Sequence, residues 1–215
     1  MRDKIIEAVK REKIIVIVRG VEKEQLIPLA QAMYDGGIRL MEITYDATGK
    51  TTSEETAENI KMLADHFSDK ILIGAGTVLT TRQVELTKNA GGKFIISPNT
   101  DDAVIKKTRE LGLVSMPGAL TPSEIQDAHL AGADFVKLFP ITNMGTDYVK
   151  AIKAPLSHID ILAVGGITDE NIADYKKAGA CGFGIGSNII DKKALAEGDF
   201  EKITLLAKRY VEAAR

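Results

Sequence analysis

The sequence is poor in aromatic residues and has no run of basic ones. Aromatic residues make up 5% of its 215 residues, and 28 Lys and Arg stand against 30 Asp and Glu, for a formal net charge of -2. A nucleic-acid surface needs a cationic stripe, and aromatic side chains if it stacks bases. This composition therefore argues against nucleic acid as a partner.

Cysteine and histidine are also scarce. The single Cys181 has no partner for an internal disulfide. The three histidines, His66, His129 and His158, lie far apart and show no ligand spacing. The sequence therefore predicts no structural metal site.

No stretch is apolar enough to span a bilayer, and the N-terminal segment MRDKIIEAVKREK has an amphipathic helix pattern rather than that of a secretory leader. We therefore expect a cytoplasmic protein without a membrane partner. The chain is 45% hydrophobic, enough at this length for one substantial core. We expect residues 1–215 to form a single domain.

Eight short apolar runs alternate with helix-period segments. The runs cover residues 14–20, 38–46, 71–78, 94–99, 113–119, 135–140, 161–167 and 182–187. Several intervening segments open with Thr or Asp, which are good N-cap residues, and close at Gly. Eight strand–helix units at this length predict an α/β fold, a (β/α)8 TIM barrel, with residues 2–13 as an extra N-terminal helix across its bottom. The alternative is a doubly wound open sheet, but that fold normally has a glycine-rich turn after the first strand, where this sequence has Gly20 alone.

Lys137 stands in the middle of an apolar run, FVKLFP, between Phe135 and Phe139. Alternate side chains of a barrel strand face the interior. An ammonium group there loses hydration, so either a carboxylate pairs with it or the amine is held neutral for chemistry.

Further polar residues are expected to face the barrel interior, because they alternate in step with apolar residues that should do so. The polar residues are Arg19, Glu42, Thr44 and Thr77, and the apolar ones are Ile15, Ile17, Leu40, Ile73 and Ala75. One interpretation is structural, with Lys137 and Glu42 as a buried ion pair and Arg19 bound to Asp46. The other is catalytic, because a neutral lysine attacks carbonyl groups and forms Schiff bases. Glu42 would then move protons, and Arg19 and Thr77 would hold a carboxylate. The convergence of complementary polar residues on one pocket favours a site for a keto acid.

Glycines follow the last two predicted strands, in the runs AVGGI and GFGIGS. TIM barrels often bind phosphate at these two loops through backbone N–H groups. We therefore expect Gly165, Gly166, Gly186 and Ser187 to bind phosphate, although tight turns alone would explain one such loop. The motif GAGTV lacks the third glycine of a dinucleotide fingerprint, and no P-loop is present, so no cofactor is predicted.

The motifs GGIRLMEITYD, IGAGTVLT, FIISPN, MPGALTPSE, FVKLFP and AVGGI follow one another along the whole chain. In this order they resemble the class I 2-keto-3-deoxy-6-phosphogluconate (KDPG) aldolase and 4-hydroxy-2-oxoglutarate (KHG) aldolase family. The resemblance implies that Lys137 forms a Schiff base with pyruvate, that Glu42 shuttles protons and that Thr77 contacts the pyruvate unit. It also implies a homotrimer and places further substrate contacts at Pro98, Phe139 and Val164.

Two positions depart from the family pattern. Asp46 stands where many members have a carboxylate-binding arginine, and Val164 stands where some have a threonine that influences stereochemical choice. Other members have an arginine at the end of the first strand, where Arg19 lies, so Arg19 is expected to bind the substrate carboxylate.

The resemblance implies cleavage of KDPG to pyruvate and glyceraldehyde 3-phosphate, of KHG to pyruvate and glyoxylate, or of both. The alternatives are an aldolase specific for the phosphogalactonate epimer and a phosphate-binding barrel isomerase or decarboxylase. A catalytically silent sugar-phosphate sensor is a further class, but the presence of both Lys137 and Glu42 argues against it.

Overall fold

Strands and helices alternate along the chain in this computed structural model, which describes residues 2–215. The strands are β1 (Ile14–Val18), β2 (Leu40–Thr44), β3 (Leu72–Gly76), β4 (Phe94–Ile96), β5 (Val114–Met116), β6 (Gly118–Ala119), β7 (Val136–Leu138), β8 (Ile161–Val164) and β9 (Gly182–Ile185). The helices are α1 (Arg2–Glu12), α2 (Lys23–Asp35), α3 (Ser53–Phe67), α4 (Thr81–Asn89), α5 (Asp102–Glu110), α6 (Pro122–Ala131), α7 (Gly145–Lys153), α8 (Ile172–Lys177), α9 (Lys192–Glu197) and α10 (Phe200–Ala214).

The nine strands form one parallel sheet that is almost closed into a barrel. Their order is β5-β4-β3-β2-β1-β9-β8-β7-β6. The two ends of this order, β5 and β6, are separated along the chain by Pro117 alone, so the sheet returns to its starting point. The predicted TIM barrel with an extra N-terminal helix is therefore confirmed.

The fifth predicted strand differs from expectation. The sequence predicts one strand over residues 113–119, whereas the structure has β5 and β6 on either side of Pro117. Proline has no N–H group to donate, which interrupts a strand ladder. The Pro117 carbonyl still accepts a hydrogen bond from the Lys137 N–H at 2.8 Å. The interruption therefore lies beside the strand that carries the buried lysine.

Strand side chains divide between two cores. Val136 and Leu138 of β7 belong to the larger core between the strands and the helices. The smaller core inside the barrel contains Phe135, and its other strand residues include Ile15, Leu40, Phe94, Ile96, Val114, Met116 and Leu162. Because successive strand residues point to opposite faces, Lys137 lies on the interior face.

Helix α1 closes the N-terminal end of the barrel. Its residues Ile5 and Val9 pack into the inner core. Arg2 and Arg109 both donate to the carboxylate of Asp134, whose side chain is 3% exposed. A buried carboxylate held by two guanidinium groups fixes the helix against the barrel floor. The polar residues lie toward the opposite, C-terminal ends of the strands, where TIM barrels have their active sites.

Threonine N-caps begin three of the helices. Thr52, Thr80 and Thr121 precede α3, α4 and α6, and each forms a reciprocal capping box with the residue three positions on. The segment after Thr168 differs, because Thr168 and Asn171 first form a hydrogen-bonded turn and α8 begins only afterwards. Within residues 2–215, no helix combines the length and apolar composition needed to cross a membrane.

Candidate active site

Lys137 is buried at the centre of the barrel. Its residue exposure is 7%, and its Nζ lies 4.7 Å from the centre of the Phe139 ring. Burial lowers the pKa of the amine, Arg19 acts in the same direction, and the carboxylate of Glu42 opposes them. The environment therefore favours the neutral, nucleophilic form of this lysine.

Glu42 occupies the interior face of β2. It is 1% exposed, and its Oε2 has no hydrogen-bond partner. Burial raises the pKa of this carboxyl group, against the opposing effects of the positive charges of Lys137 and Arg19. A buried carboxylate oxygen is unfavourable unless a water or a ligand bonds to it, so this oxygen is a candidate contact for a bound molecule.

Lys137 and Glu42 line the same small cavity but do not pair. Among residues 2–215, no carboxylate oxygen lies within 4.0 Å of the Lys137 Nζ. The cavity has a volume of about 10 Å³, close to the space of a single water. Its other lining residues are Ile15, Ile17, Ile96, Leu162, Val164 and Gly184. The structural interpretation, a direct buried ion pair, does not fit this arrangement.

The residues of the third strand that face the barrel interior are not the ones expected. Ile73 and Ala75 belong to the outer core facing the helices, so Gly74 and Gly76 face the barrel interior. A Cβ atom at Gly76 would overlap the Glu42 carboxylate. One at Gly74 would overlap the ring of Phe94. Glycine is needed here because the larger side chains of neighbouring strands fill the space.

Thr77 lies near Arg19 because of the backbone turn after β3, and not because of its place in the alternation of strand side chains. It follows the end of β3 and has φ of +55°, in the left-handed region that a β-branched residue rarely adopts. Its Oγ1 accepts a hydrogen bond from Arg19 Nη2 at 3.0 Å. Backbone strain of this kind is often found at functional sites. The turn therefore brings Thr77 and Arg19 together.

Arg19 is bound to Thr77 and not to Asp46, which corrects the structural interpretation of Arg19. The Asp46 carboxylate accepts hydrogen bonds from the backbone N–H groups of Thr48, Lys50 and Thr51. These bonds, with that of the Thr48 hydroxyl, lower the pKa of Asp46 to about 2. Asp46 thus organises the loop after β2. Arg19 is exposed at the rim of the barrel, with its guanidinium group beside Thr77.

The other predicted contact residues lie around Lys137 and Glu42. Val164 lines the central cavity with Lys137. Thr44 lines a separate cavity of about 550 Å³ that also includes Arg19. Pro98 packs its backbone against Gly118, the β6 residue in register with Lys137. The structure therefore brings these residues to the same end of the barrel.

The two glycine loops are also neighbours. Gly165 and Gly166 have φ of +110° and +71°, which only glycine adopts readily. The Asn188 side chain joins the loops by donating to the Ile167 carbonyl at 2.9 Å. Gly186 and Ser187, but not Gly165 and Gly166, line a cavity of about 580 Å³ that also contains Arg19.

Sequence reasoning missed the role of the interior glycines Gly74, Gly76 and Gly184. Their alternation along β3 and β9 was the available signal, since interior positions recur every second residue. Residues 2–215 contain no cluster of three or more His, Cys, Asp or Glu side chains that could hold a metal ion. The site chemistry is that of an amine, a carboxylic acid and an arginine.

Comparison with known proteins identifies the family. The sequence model described as KDPG and KHG aldolase matches residues 5–206. The chain belongs to the KDPG and KHG aldolase family. Because this is a family of aldolases, the protein is an enzyme, a carbon–carbon lyase.

Individual members of the family match over most of their length. A probable 2-dehydro-3-deoxy-6-phosphogalactonate aldolase from Rhizobium meliloti (strain 1021) is 39% identical, over 86% of this chain and 85% of that protein. The 2-dehydro-3-deoxy-6-phosphogalactonate aldolase of Escherichia coli (strain K12) is 34% identical, over 94% and 96%. The solved structure of a KDPG aldolase from Legionella pneumophila, with pyruvate captured as a covalent carbinolamine intermediate, matches with a TM-score of 0.82 and 28% identity, over 94% of this chain and 96% of that one.

The Glu42→Gln substitution should make this aldolase more stable at neutral pH, by about 0.5–2 kcal/mol. The folded-state pKa of Glu42 is raised, so ionising it costs folding free energy once the pH exceeds its unfolded value of about 4.3. The advantage of the glutamine variant should therefore shrink as the pH falls toward 4. Urea unfolding at a series of pH values measures this.

The matched control is Glu7→Gln, at an exposed glutamate of α1. Its stability should follow that of the unsubstituted protein at every pH. A Glu42→Gln variant that is less stable at pH 8 would mean that favourable contacts hold the carboxylate.

Proposed function

We propose that the protein is a class I, Schiff-base aldolase that cleaves KDPG to pyruvate and glyceraldehyde 3-phosphate, and/or KHG to pyruvate and glyoxylate. The observation that carries this proposal is the buried amine of Lys137 facing a cavity with the unpaired carboxylate of Glu42. Lysine nucleophiles need desolvation to remain neutral at physiological pH, and this site provides it.

In the proposed reaction, the Lys137 amine adds to the keto carbon of the substrate and water is lost, which forms a protonated Schiff base. Glu42 takes the proton of the hydroxyl group on the carbon that becomes the aldehyde. The carbon–carbon bond breaks, the aldehyde leaves, and the electron pair moves to the Schiff base as an enamine of pyruvate. Protonation of the enamine and hydrolysis release pyruvate. The carbinolamine captured in the Legionella relative supports this route.

The raised pKa of Glu42 suits this role, because an acid with a pKa nearer neutrality can both take up and return a proton. Among residues 2–215, nothing forms a hydrogen bond with its Oε2, so this oxygen can bond to substrate. The proposed reaction requires neither a cofactor nor a metal ion.

We assign the substrate carboxylate to Arg19 and Thr77, which already share a hydrogen bond at 3.0 Å. Arginine binds a carboxylate through two parallel hydrogen bonds. Asp46, at the position of the arginine in many members, is engaged by its own loop. Further contacts are assigned to Thr44, Pro98, Phe139 and Val164.

The phosphate is assigned to the glycine loops after β8 and β9, with Gly165, Gly166, Gly186 and Ser187. The cavity of about 580 Å³ beside Gly186 and Ser187 supports the assignment of these two residues to the phosphate. An isomerase or decarboxylase has no support among the aldolase relatives. A homotrimer in the cytoplasm remains our proposal for the assembly and its location.

Cleavage rates on a small panel test the substrate class. The panel contains KDPG, its phosphogalactonate epimer and KHG, and pyruvate release is followed with lactate dehydrogenase. We expect turnover of KDPG, KHG or both. Turnover of the epimer alone would assign the enzyme to that substrate, and turnover of none would overturn the proposal.

Pyruvate with borohydride should label Lys137, since reduction fixes the Schiff base as a stable amine. Peptide mass spectrometry locates the label. Lys137→Ala should lower turnover on the order of 10³-fold or more, because the covalent route is lost. The control is Lys150→Ala, at an exposed lysine paired with Asp147 at 3.0 Å, which should retain turnover. A label on another lysine would contradict the mechanism.

Arg19→Ala should raise the KM for pyruvate in the condensation direction by about 10- to 150-fold. This corresponds to the loss of one charge-assisted contact worth roughly 1.5–3 kcal/mol. Arg19→Lys should recover only part of the lost affinity for pyruvate, because an ammonium group cannot make two parallel hydrogen bonds to a carboxylate. If Arg19→Ala weakens only the phosphorylated aldehyde, the arginine serves the phosphate end instead.

A further inference from the structure

The cavity beside Gly186 and Ser187 carries only positive charge, on two of its lining residues. Its volume is about 580 Å³, and its charged lining residues are Arg19 and Lys192, with no aspartate or glutamate among the rest. The whole chain has a net charge of -2. Two cations without a carboxylate in a concave surface raise the local concentration of anions.

Lys192 has no acidic partner, unlike the charged residues around it. Its neighbour Lys193 lies 3.9 Å from Glu197, and Asp191 lies 2.6 Å from Lys202. Within residues 2–215, no carboxylate oxygen comes within 4.0 Å of the Lys192 ammonium group. The charge on this side of α9 is therefore available to a ligand in the cavity.

The backbone that carries Lys192 is held in place from both sides. The Asp191 carboxylate accepts from the N–H groups of Lys193 and Ala194 at 2.9 and 3.0 Å. On the other side, Gln25 of α2 donates to the Leu195 carbonyl at 2.9 Å. The start of α9 is thus fixed on the cavity wall, while the lysine side chain can adjust to a ligand.

This cavity adjoins the proposed centre of chemistry. Ile17 lines both the small cavity with Lys137 and Glu42 and the larger cavity with Lys192. A keto acid attached to Lys137 can therefore extend past Ile17 toward Lys192.

We propose that Lys192 is a specificity-determining residue that selects substrates with a phosphate on the aldehyde half. This inference rests on the proposed aldolase function. A phosphate monoester carries a charge of about -1.5 to -2 at pH 7, so the Lys192 ammonium group acts on it more strongly than on a hydroxyl group. Lysine binds phosphate as a point charge and needs no fixed geometry.

The test compares KDPG with its unphosphorylated analogue, 2-keto-3-deoxygluconate, in Lys192→Gln. We expect kcat/KM for KDPG to fall by about 3- to 10-fold, a modest effect because the lysine is exposed to solvent. The loss should lie in KM and should diminish at high salt. The analogue should change by less than a factor of two, and Lys192→Arg should restore KDPG binding.

Lys193→Gln is the matched control, because it removes the same charge one residue away, at a lysine paired with Glu197. It should leave both substrates unaffected. Equal losses on KDPG and the analogue in Lys192→Gln, or equal losses in the two variants, would overturn the proposal.

Titration of inorganic phosphate, followed by calorimetry, separates this inference from the proposed function. Phosphate should bind Lys192→Gln about 3- to 10-fold more weakly than the unsubstituted protein, whether or not any keto acid is cleaved. Identical phosphate affinities would overturn the role of Lys192 even in an active aldolase. Weaker binding without cleavage of any keto acid would retain the anion site and overturn the aldolase proposal.

Discussion

The barrel buries two ionisable groups of opposite type in one small space and keeps them from pairing. A direct ion pair between Lys137 and Glu42 would recover part of the cost of burial. In the part of the chain that the structure describes, residues 2–215, their separation leaves a Glu42 oxygen without a hydrogen-bond partner and the Lys137 amine without a carboxylate within 4.0 Å. The pKa of the lysine is lowered and that of the glutamate raised, which suits the nucleophilic attack and proton transfer that we propose.

The interior glycines make this arrangement possible. A small parallel barrel is normally filled by branched side chains from alternate strands. Here Gly76 leaves room for the Glu42 carboxylate, and Gly74 leaves room for the ring of Phe94. Gly184 likewise lies against Val164, close enough that a side chain would force a shift. The shape of the centre therefore depends on where side chains are missing as much as on where they stand.

The two ends of the barrel differ in structure. At the floor, α1 packs Ile5 and Val9 into the inner core and is bound through the Arg2–Asp134 contact. At the rim, strained or polar turns carry the contact groups, such as Thr77 with its positive φ. A floor that is rigid and closed supports a rim whose loops vary, which is how this fold acquires particular substrates. The loop after β2 is one of these rim loops, and Asp46 organises it by accepting hydrogen bonds from its backbone.

Much of the fold could be predicted from the sequence, because its signals are local. Short apolar runs, threonine caps and closing glycines recur with one strand–helix period, and these determine the barrel class without reference to tertiary contacts. The inward position of Lys137 and Glu42 is also local information, since a charged residue on the inward parity of a strand stands out. The prediction was wrong for the third strand, because Gly74 and Gly76 carry no polarity signal and only their alternation marked the interior face.

By itself, the sequence determined the barrel, its added helix and the pair of ionisable residues at its centre. Only the tertiary structure decided which groups meet. The separation of Lys137 from Glu42, the partnership of Arg19 with Thr77 and the interruption at Pro117 depend on neighbouring strands and on backbone angles beyond strand ends. The exposed Lys192 lines one cavity with Ile17 and Arg19 only because the fold brings α9 near the end of β1, although the two segments are far apart in the chain. Periodicity describes each element, whereas distances between elements arise from packing.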